Sequence, residues 1–234
     1  MSGRVAHDDA RPTTARGEER PAGHGAARAA RTILCVMASP RGPAAISRQF
    51  AGQVLDRLQA GSPEAVVVTR DLAREPPPLV DAAFSAAIIG PPDPDHPALA
   101  GSEVLIRELE SASAVVIATP MHNYGVPAVL KAWVDQIVRI HRTFASTPAG
   151  KQGLLADRPV YLVVASGGWF TQPSPIGTPP QPDFLTPYLR AVLGTIGLRT
   201  LHVFALEGVT RGAEARAMAF DAATIRLDSL LPQP

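Results

Sequence analysis

The sequence predicts an α/β domain: a doubly wound sheet of five parallel strands with helices on both faces. Three observations predict it. Short apolar runs without polar alternation recur along the chain, the mark of strands buried on both sides. Between them lie stretches with apolar residues at three- and four-residue spacing, the period of a helix with one buried face. Strands that alternate with helices pair in parallel through right-handed crossovers and build three layers.

The elements follow in order. Residues 1–31 hold arginines, acids, alanines, prolines and glycines, with Met1 and Val5 as the large aliphatics. Such a segment buries too little apolar area to offset its ordering entropy, so 1–31 is expected to be a disordered tail and 32–234 the folded domain. Acids at Asp8, Asp9, Glu18 and Glu19, and the lack of an apolar h-region, set the tail apart from targeting peptides. The strand runs are 32–37, 65–69, 114–118 and 160–164, with a weaker fifth at 201–204. Helical stripes are Ile46, Phe50, Ala51, Val54, Leu55 and Leu58, then Val104, Leu105, Leu109 and Ala112, then Val129, Leu130, Trp133, Ile137 and Ile140. A later helix has Thr186 as expected cap, Pro187 in its first turn and Gly197 past its end. A last helix is expected over about 214–230. Five strands indicate the smaller doubly wound type rather than a six-stranded dinucleotide fold. The Pro-rich stretches 75–97 and 172–182 are long for such a domain; Phe84, Ile88 and Ile89 make the first a packed loop.

Composition removes several classes. The 234 residues are 46% apolar and 18% charged, with a net charge of +1, so no basic excess points to nucleic acid. No apolar run approaches the ~18 residues of a membrane span. One cysteine, Cys35, allows neither an intrachain disulfide nor a cysteine-cluster metal site. Its mid-strand place makes it an inert core residue. The expectation is a soluble cytoplasmic domain.

Ligands of open parallel sheets sit beyond the carboxyl ends of the strands, near the topological switch. Three strand ends carry chemistry. The first runs through Ser39, Ala45, Ile46 and Ser47 into a helix N-terminus, where free N–H groups and hydroxyls suit a phosphate, with Arg41 or Arg48 in support. It lacks the lysine of a Walker loop and is no G-x-G-x-x-G; an ordinary βα turn would carry the same residues. The third strand ends in Met121, His122, Asn123, Tyr124 and Gly125, with Pro127 opening the next helix. That loop offers flat and polarizable surface for an aromatic ring, or packs on its own domain. The fourth ends in Ala165, Ser166, Gly167 and Gly168, whose glycines can bare N–H groups to a planar ligand, while Trp169 and Phe170 wall the cleft or pack inward. Phosphate donors, a ring-sized apolar face and backbone donors in series outline FMN.

At these residues the chain resembles the FMN-dependent NADH-azoreductase family of flavodoxin-like NAD(P)H:quinone oxidoreductases. The resemblance runs from Thr32 to nearly the C-terminus and is strongest over 118–135, ATPMHNYGVPAVLKAWVD, against the family pattern A-P-M-Y-N-F-x-[IV]-P-x-x-L-K-x-[WYF]-x-D. Arg70-Asp71-Leu72-Ala73, Gly167-Gly168 and the segment 187–197 support it. It implies FMN bound at a homodimer interface, with phosphate contacts at Ser39, Ala45, Ile46 and Ser47. Ring contacts fall at Met121, His122, Asn123 and Tyr124, and the pyrimidine edge lies near Ala165, Ser166, Gly167 and Gly168. The chain departs from the pattern at Ala45, where a hydroxyl is common, at His122 for Tyr, at Tyr124 for Phe, and at Ala165-Ser166 for Ser-Arg. The implied activity is transfer of two electrons from NADH or NADPH to a quinone or an aromatic azo compound in alternating half-reactions, with no catalytic side chain. An NAD(P)H-dependent FMN reductase is the alternative on the same fold. A flavodoxin-type carrier would want a charged docking face that a near-neutral chain lacks.

Overall fold

The computed structural model describes residues 31–91, 93 and 95–233. The expected tail lies outside the described residues but for Arg31. Five parallel strands form the main sheet: β1 (Thr32–Met37), β2 (Val66–Asp71), β3 (Ala112–Pro120), β6 (Val160–Ala165) and β7 (Leu201–Leu206), in the order β2-β1-β3-β6-β7. The chain steps outward from β1 to β2, then crosses back to lay β3 on the other side of β1. The switch between β1 and β3 opens a crevice at their carboxyl ends.

Period two along each central strand divides the core into two layers. Leu34 and Val36 of β1, Val115 and Ile117 of β3, and Leu162 and Val164 of β6 face one layer. Helices α3 (Ala100–Ser111), α4 (Ala128–Ile137) and α5 (Leu185–Ile196) cover it with Ile106, Trp133 and Leu189 among others. Ile33, Cys35 and Met37, with Val116 and Val163, face the other layer, covered by α1 (Ile46–Ala60) and α6 (Ala213–Leu230) through Phe50 and Leu227. Each fully buried Leu or Phe here is worth roughly 1.5–3 kcal/mol against exposure. Burial pushes the Cys35 thiol up to about 12, so it stays protonated, as an inert core residue should.

Several expectations are corrected. The run 65–69 reads as doubly buried, yet β2 is an edge strand with Val66 54% exposed. β-branched valines suit any pleated surface, so composition alone does not separate edge from centre. The packed loop 75–97 contains a short helix, α2 (Ala82–Ile89), whose Asp81 carboxylate accepts the Phe84 N–H at 2.7 Å. Phe84 is buried, whereas Ile89 is exposed. Thr186 is not the cap of α5. Asp183 accepts the N–H groups of both Leu185 and Thr186 at 2.9 Å, while the Thr186 hydroxyl is buried without a partner. Gly197 does end that helix, at φ +111°. Pro127 is the residue before α4 rather than inside it, and α4 stops at Ile137. A two-stranded antiparallel hairpin, β4 (Phe144–Thr147) with β5 (Gly150–Gly153), was not anticipated. Its residues FAST and GKQG have little strand signature; Gly153 is held against the Ile196–Gly197 backbone, where no Cβ would fit. Lys131 and Asp135 form an exposed i,i+4 pair at 2.6 Å, as their helical spacing allows. No helix among the described residues is long and apolar enough to cross a membrane.

Candidate functional site

The crevice at the switch has a volume of about 200 Å³. Its wall includes Ser39, Arg41, Ala45, Ile46 and Ser47 from the loop after β1, Met121 and His122 from the loop after β3, and Ala165 and Gly167 from the end of β6. Three segments that are far apart in sequence therefore meet as expected. Asn123, Tyr124, Ser166 and Gly168 lie beside the crevice rather than in its lining.

The floor is the N-terminus of α1. Residues 42–44 form one 3-10 turn that delivers the chain to Ala45, in extended conformation at φ −71° and ψ 125°, which precedes the helix without any side-chain cap. The first intrahelical acceptor is the Ala45 carbonyl, taken by Gln49 N–H at 3.0 Å. The N–H groups of Ile46, Ser47 and Arg48 thus emerge from the first turn without a carbonyl partner, at the positive end of the helix dipole. An alanine at the cap is the key: a Ser or Asp there would satisfy these donors from within. The Ser47 side chain is buried on the same wall, and the Ser39 oxygen accepts the Arg41 N–H at 3.4 Å, which leaves its own O–H to donate. Arg48 is engaged with Asp71 at 3.0 Å, and Arg41 is the basic side chain on the crevice wall.

The loop after β3 is a tight reversal. His122 and Gly125 exchange both backbone hydrogen bonds, at 3.0 and 2.9 Å, and Asn123 and Tyr124 between them have φ of 48° and 68°. This is a type I′ turn built on two non-glycine residues. Asn visits that region readily, but Tyr124 costs on the order of 1–3 kcal/mol there. The turn is held by Phe184 N–H, which donates to the Tyr124 carbonyl at 2.9 Å, and by Met121 N–H, which donates to Ala165 at 2.9 Å. Tyr124 and Phe184 stand exposed together, at 46% and 66%.

The third wall is the turn after β6. Gly167 lies where a Cβ would come within 2.8 Å of the Thr210 hydroxyl. The Gly168 N–H is not free for a ligand: it donates to Ser166 Oγ at 3.2 Å. Phe170 packs into the interior, and Trp169 lines a neighbouring cavity of about 540 Å³ with Gly168, Gln181, Arg211 and Met218. Three residues that sequence reasoning missed belong here: Val209 and Thr210 on the crevice wall, and Gln181 behind it. They follow β7 or sit in the Pro-rich stretch 172–182, and nothing in their local pattern signals a site.

The donor set fits FMN. First-turn amides and two serine hydroxyls suit a phosphate, an apolar thioether wall suits a ring, and no carboxylate lines the crevice. No group of three or more His, Cys, Asp or Glu among the described residues is placed to hold a metal ion.

Comparison with known proteins agrees. A family model described as a flavodoxin-like fold matches residues 31–231. The chain is 46% identical over 200 residues to FMN-dependent NADH:quinone oxidoreductase 4 of Pseudomonas fluorescens, covering 86% of this chain and 95% of that protein. It is 44% identical over 193 residues to FMN-dependent NADH:quinone oxidoreductase 2 of Cupriavidus pinatubonensis, covering 81% and 92%. The crystal structure of an FMN-dependent NADH-azoreductase from Bacillus anthracis in complex with FMN has the same fold, with a TM-score of 0.70 at 20% identity over 86% of this chain and 99% of that one. Extending over nearly the whole length of the curated relatives, the chain belongs to the flavodoxin-like FMN-dependent NADH:quinone oxidoreductase family.

Proposed function

We propose that this chain is an FMN-dependent oxidoreductase that passes two electrons from NADH or NADPH to quinones, aromatic azo compounds, or both. The observation that carries the reading is the uncapped N-terminus of α1, set opposite Met121 and Gly167 in one crevice. Bound FMN supplies the redox chemistry, accepting hydride from the nicotinamide and delivering two electrons to the acceptor. The chain's own residues bind and orient. Ile46 and Ser47 amides and the Ser39 and Ser47 hydroxyls hold the phosphate. Met121 and the 122–125 turn support the ring. Gly167, on the crevice wall, would present backbone to its pyrimidine edge. His122 is exposed at the rim, and no proton transfer need be assigned to it while solvent reaches the site. Donor and acceptor use the same face in turn, so the kinetics are those of alternation.

The exposed pair Tyr124 and Phe184, joined by a backbone hydrogen bond, supports a second copy of the chain covering this rim of the site. The site would then be completed in a homodimer. Absorption spectra test the function directly. Purified protein should bind FMN, lose its visible band on NADH addition and regain it with a quinone, and double-reciprocal plots should be parallel. Colourless protein that ignores added FMN overturns the reading, as does release of the reduced flavin in place of acceptor turnover. A monomeric mass in solution with full activity overturns the dimer.

A further inference from the structure

The structure assigns Gln181 as a positioning residue for the flavin crevice, an inference that rests on the function proposed above. Gln181 lies in the Pro-rich stretch 172–182, outside every motif that marks the site. Its side-chain amide Nε2 donates to Ser166 Oγ at 2.9 Å and to Met121 Sδ at 3.2 Å. Ser166 and Met121 follow adjacent strands, β6 and β3, and Met121 lines the crevice. One amide group therefore ties the ring-facing loop to the turn at the pyrimidine edge.

Three further facts make the tie a built one. The Gln181 backbone N–H donates to the Trp169 carbonyl at 2.8 Å, so the residue is fixed at both ends. Its Oε1 occupies the space that a Cβ on Gly168 would need, so the glycine admits the amide. The stretch is also anchored on either side. Before it, the Glu207 carboxylate accepts from Phe170 N–H at 2.5 Å and from the Thr171 N–H and hydroxyl at 2.7 Å. After it, Asp183 holds the start of α5.

The consequence falls on Ser166. Its oxygen accepts from both Gln181 and the Gly168 N–H, which fills its two lone pairs and leaves the hydroxyl able only to donate. Gln181 thus fixes the shape and the polarity of the turn beside the site without touching the flavin itself.

The test uses full-length protein and FMN titration, with the midpoint potential of the bound flavin as second readout. Gln181→Leu keeps bulk and removes the donor; it should raise the FMN Kd about three- to ten-fold, the worth of one or two neutral hydrogen bonds. Gln181→Glu puts a negative charge behind the turn; it should weaken binding at least as much and move the potential negative, which a purely structural role would not do. Ser166→Ala added to Gln181→Leu should cost nothing more, because the two act as a unit. A Kd within two-fold of wild type, or additive effects, overturns the assignment. Should Gln181→Leu fail to fold, Gln181→Glu and its potential carry the same decision. Wild-type protein that binds no FMN overturns the function and this inference together; wild-type binding with unaffected variants overturns the inference alone.

Discussion

The two ends of the main sheet treat their polar groups in opposite ways. At the amino-terminal edge the groups are satisfied from within. Asp157 accepts from Arg199 N–H at 2.8 Å, Thr200 N–H at 3.2 Å and the Thr200 hydroxyl at 2.8 Å, which clamps the entry to β7. The Arg158 guanidinium reaches the carbonyls of Leu109, Glu110 and Ala112, filling acceptors that the end of α3 leaves over. At the carboxyl edge the first-turn amides of α1 are left open, two consecutive residues sit at positive φ, and the glycines are crowded by Thr210 and Gln181. One edge is completed for stability. The other keeps donors unpaired and backbone strained, the pattern of a site that a ligand completes.

If that contrast holds, substitutions at the amino-terminal side should cost stability and spare FMN affinity, and those at the carboxyl side the reverse. The largest effect is expected at Gly197, where φ is +111° and a Cβ would collide with the Leu155 carbonyl. Gly197→Ala should cost on the order of 3 kcal/mol, a fall in Tm of roughly 6–12 °C, with FMN affinity of the folded protein unchanged. Calorimetry beside flavin titration would show it; a large Kd change would break the division. Ser47→Ala should do the opposite. It removes a hydrogen bond to a charged phosphate, about 1.5–3 kcal/mol, and so should raise the FMN Kd by about 10–100-fold while stability of the flavin-free protein stays within about 0.5 kcal/mol.

Asp183→Ala sharpens the boundary, because this cap begins α5 next to the Tyr124 turn. Urea unfolding should show a loss of about 1 kcal/mol. A concurrent rise in KM for the acceptor would show that the Phe184–Tyr124 bond couples stability to the rim. The smallest effect concerns pH. Arg142 grips Glu110 at 2.5 and 2.8 Å and holds its carboxyl below the usual 4.5. A group whose folded pKa is depressed stabilises above its unfolded value, and that contribution is lost as pH falls through the folded one. The pair is partly exposed and screened, so Glu110→Gln should lower stability at pH 7 by at most ~1 kcal/mol. The difference from wild type should shrink below pH 4.5, read by denaturant unfolding against pH. A difference that persists at pH 2 would deny the ion pair its role.

Legibility in the sequence followed the range of the forces. The central strands, α1, α4 and the end of α5 at Gly197 declare themselves through hydrophobic period and local dihedral demands. The three strand ends did so too, through residue types that suit a ligand: hydroxyls at a helix start after β1, Met, His and Tyr after β3, and paired glycines after β6. The edge position of β2 could not be read, because Val66 and Val68 look the same with or without a neighbour strand. Nor could the hairpin over 144–153, whose pairing is held by Gly153 lying against a helix end that comes more than forty residues later. Thr186 beside Pro187 resembles a cap; Asp183, three residues earlier, had the geometry.

By itself the sequence determined the layers and the three strand ends that carry the site, for these depend on period, chain order and the chemistry of adjacent residues. The strand order, and with it the switch between β1 and β3, and the uncapped turn at Ala45 are set by the fold. Tertiary structure alone decided which distant groups close the crevice. Val209 and Thr210 reach it, and Gln181 backs it, only because the turns after β6 and β7 stand side by side in the sheet. Hydrogen bonds between segments fifteen to sixty residues apart depend on where folding brings them, and no local pattern encodes that distance.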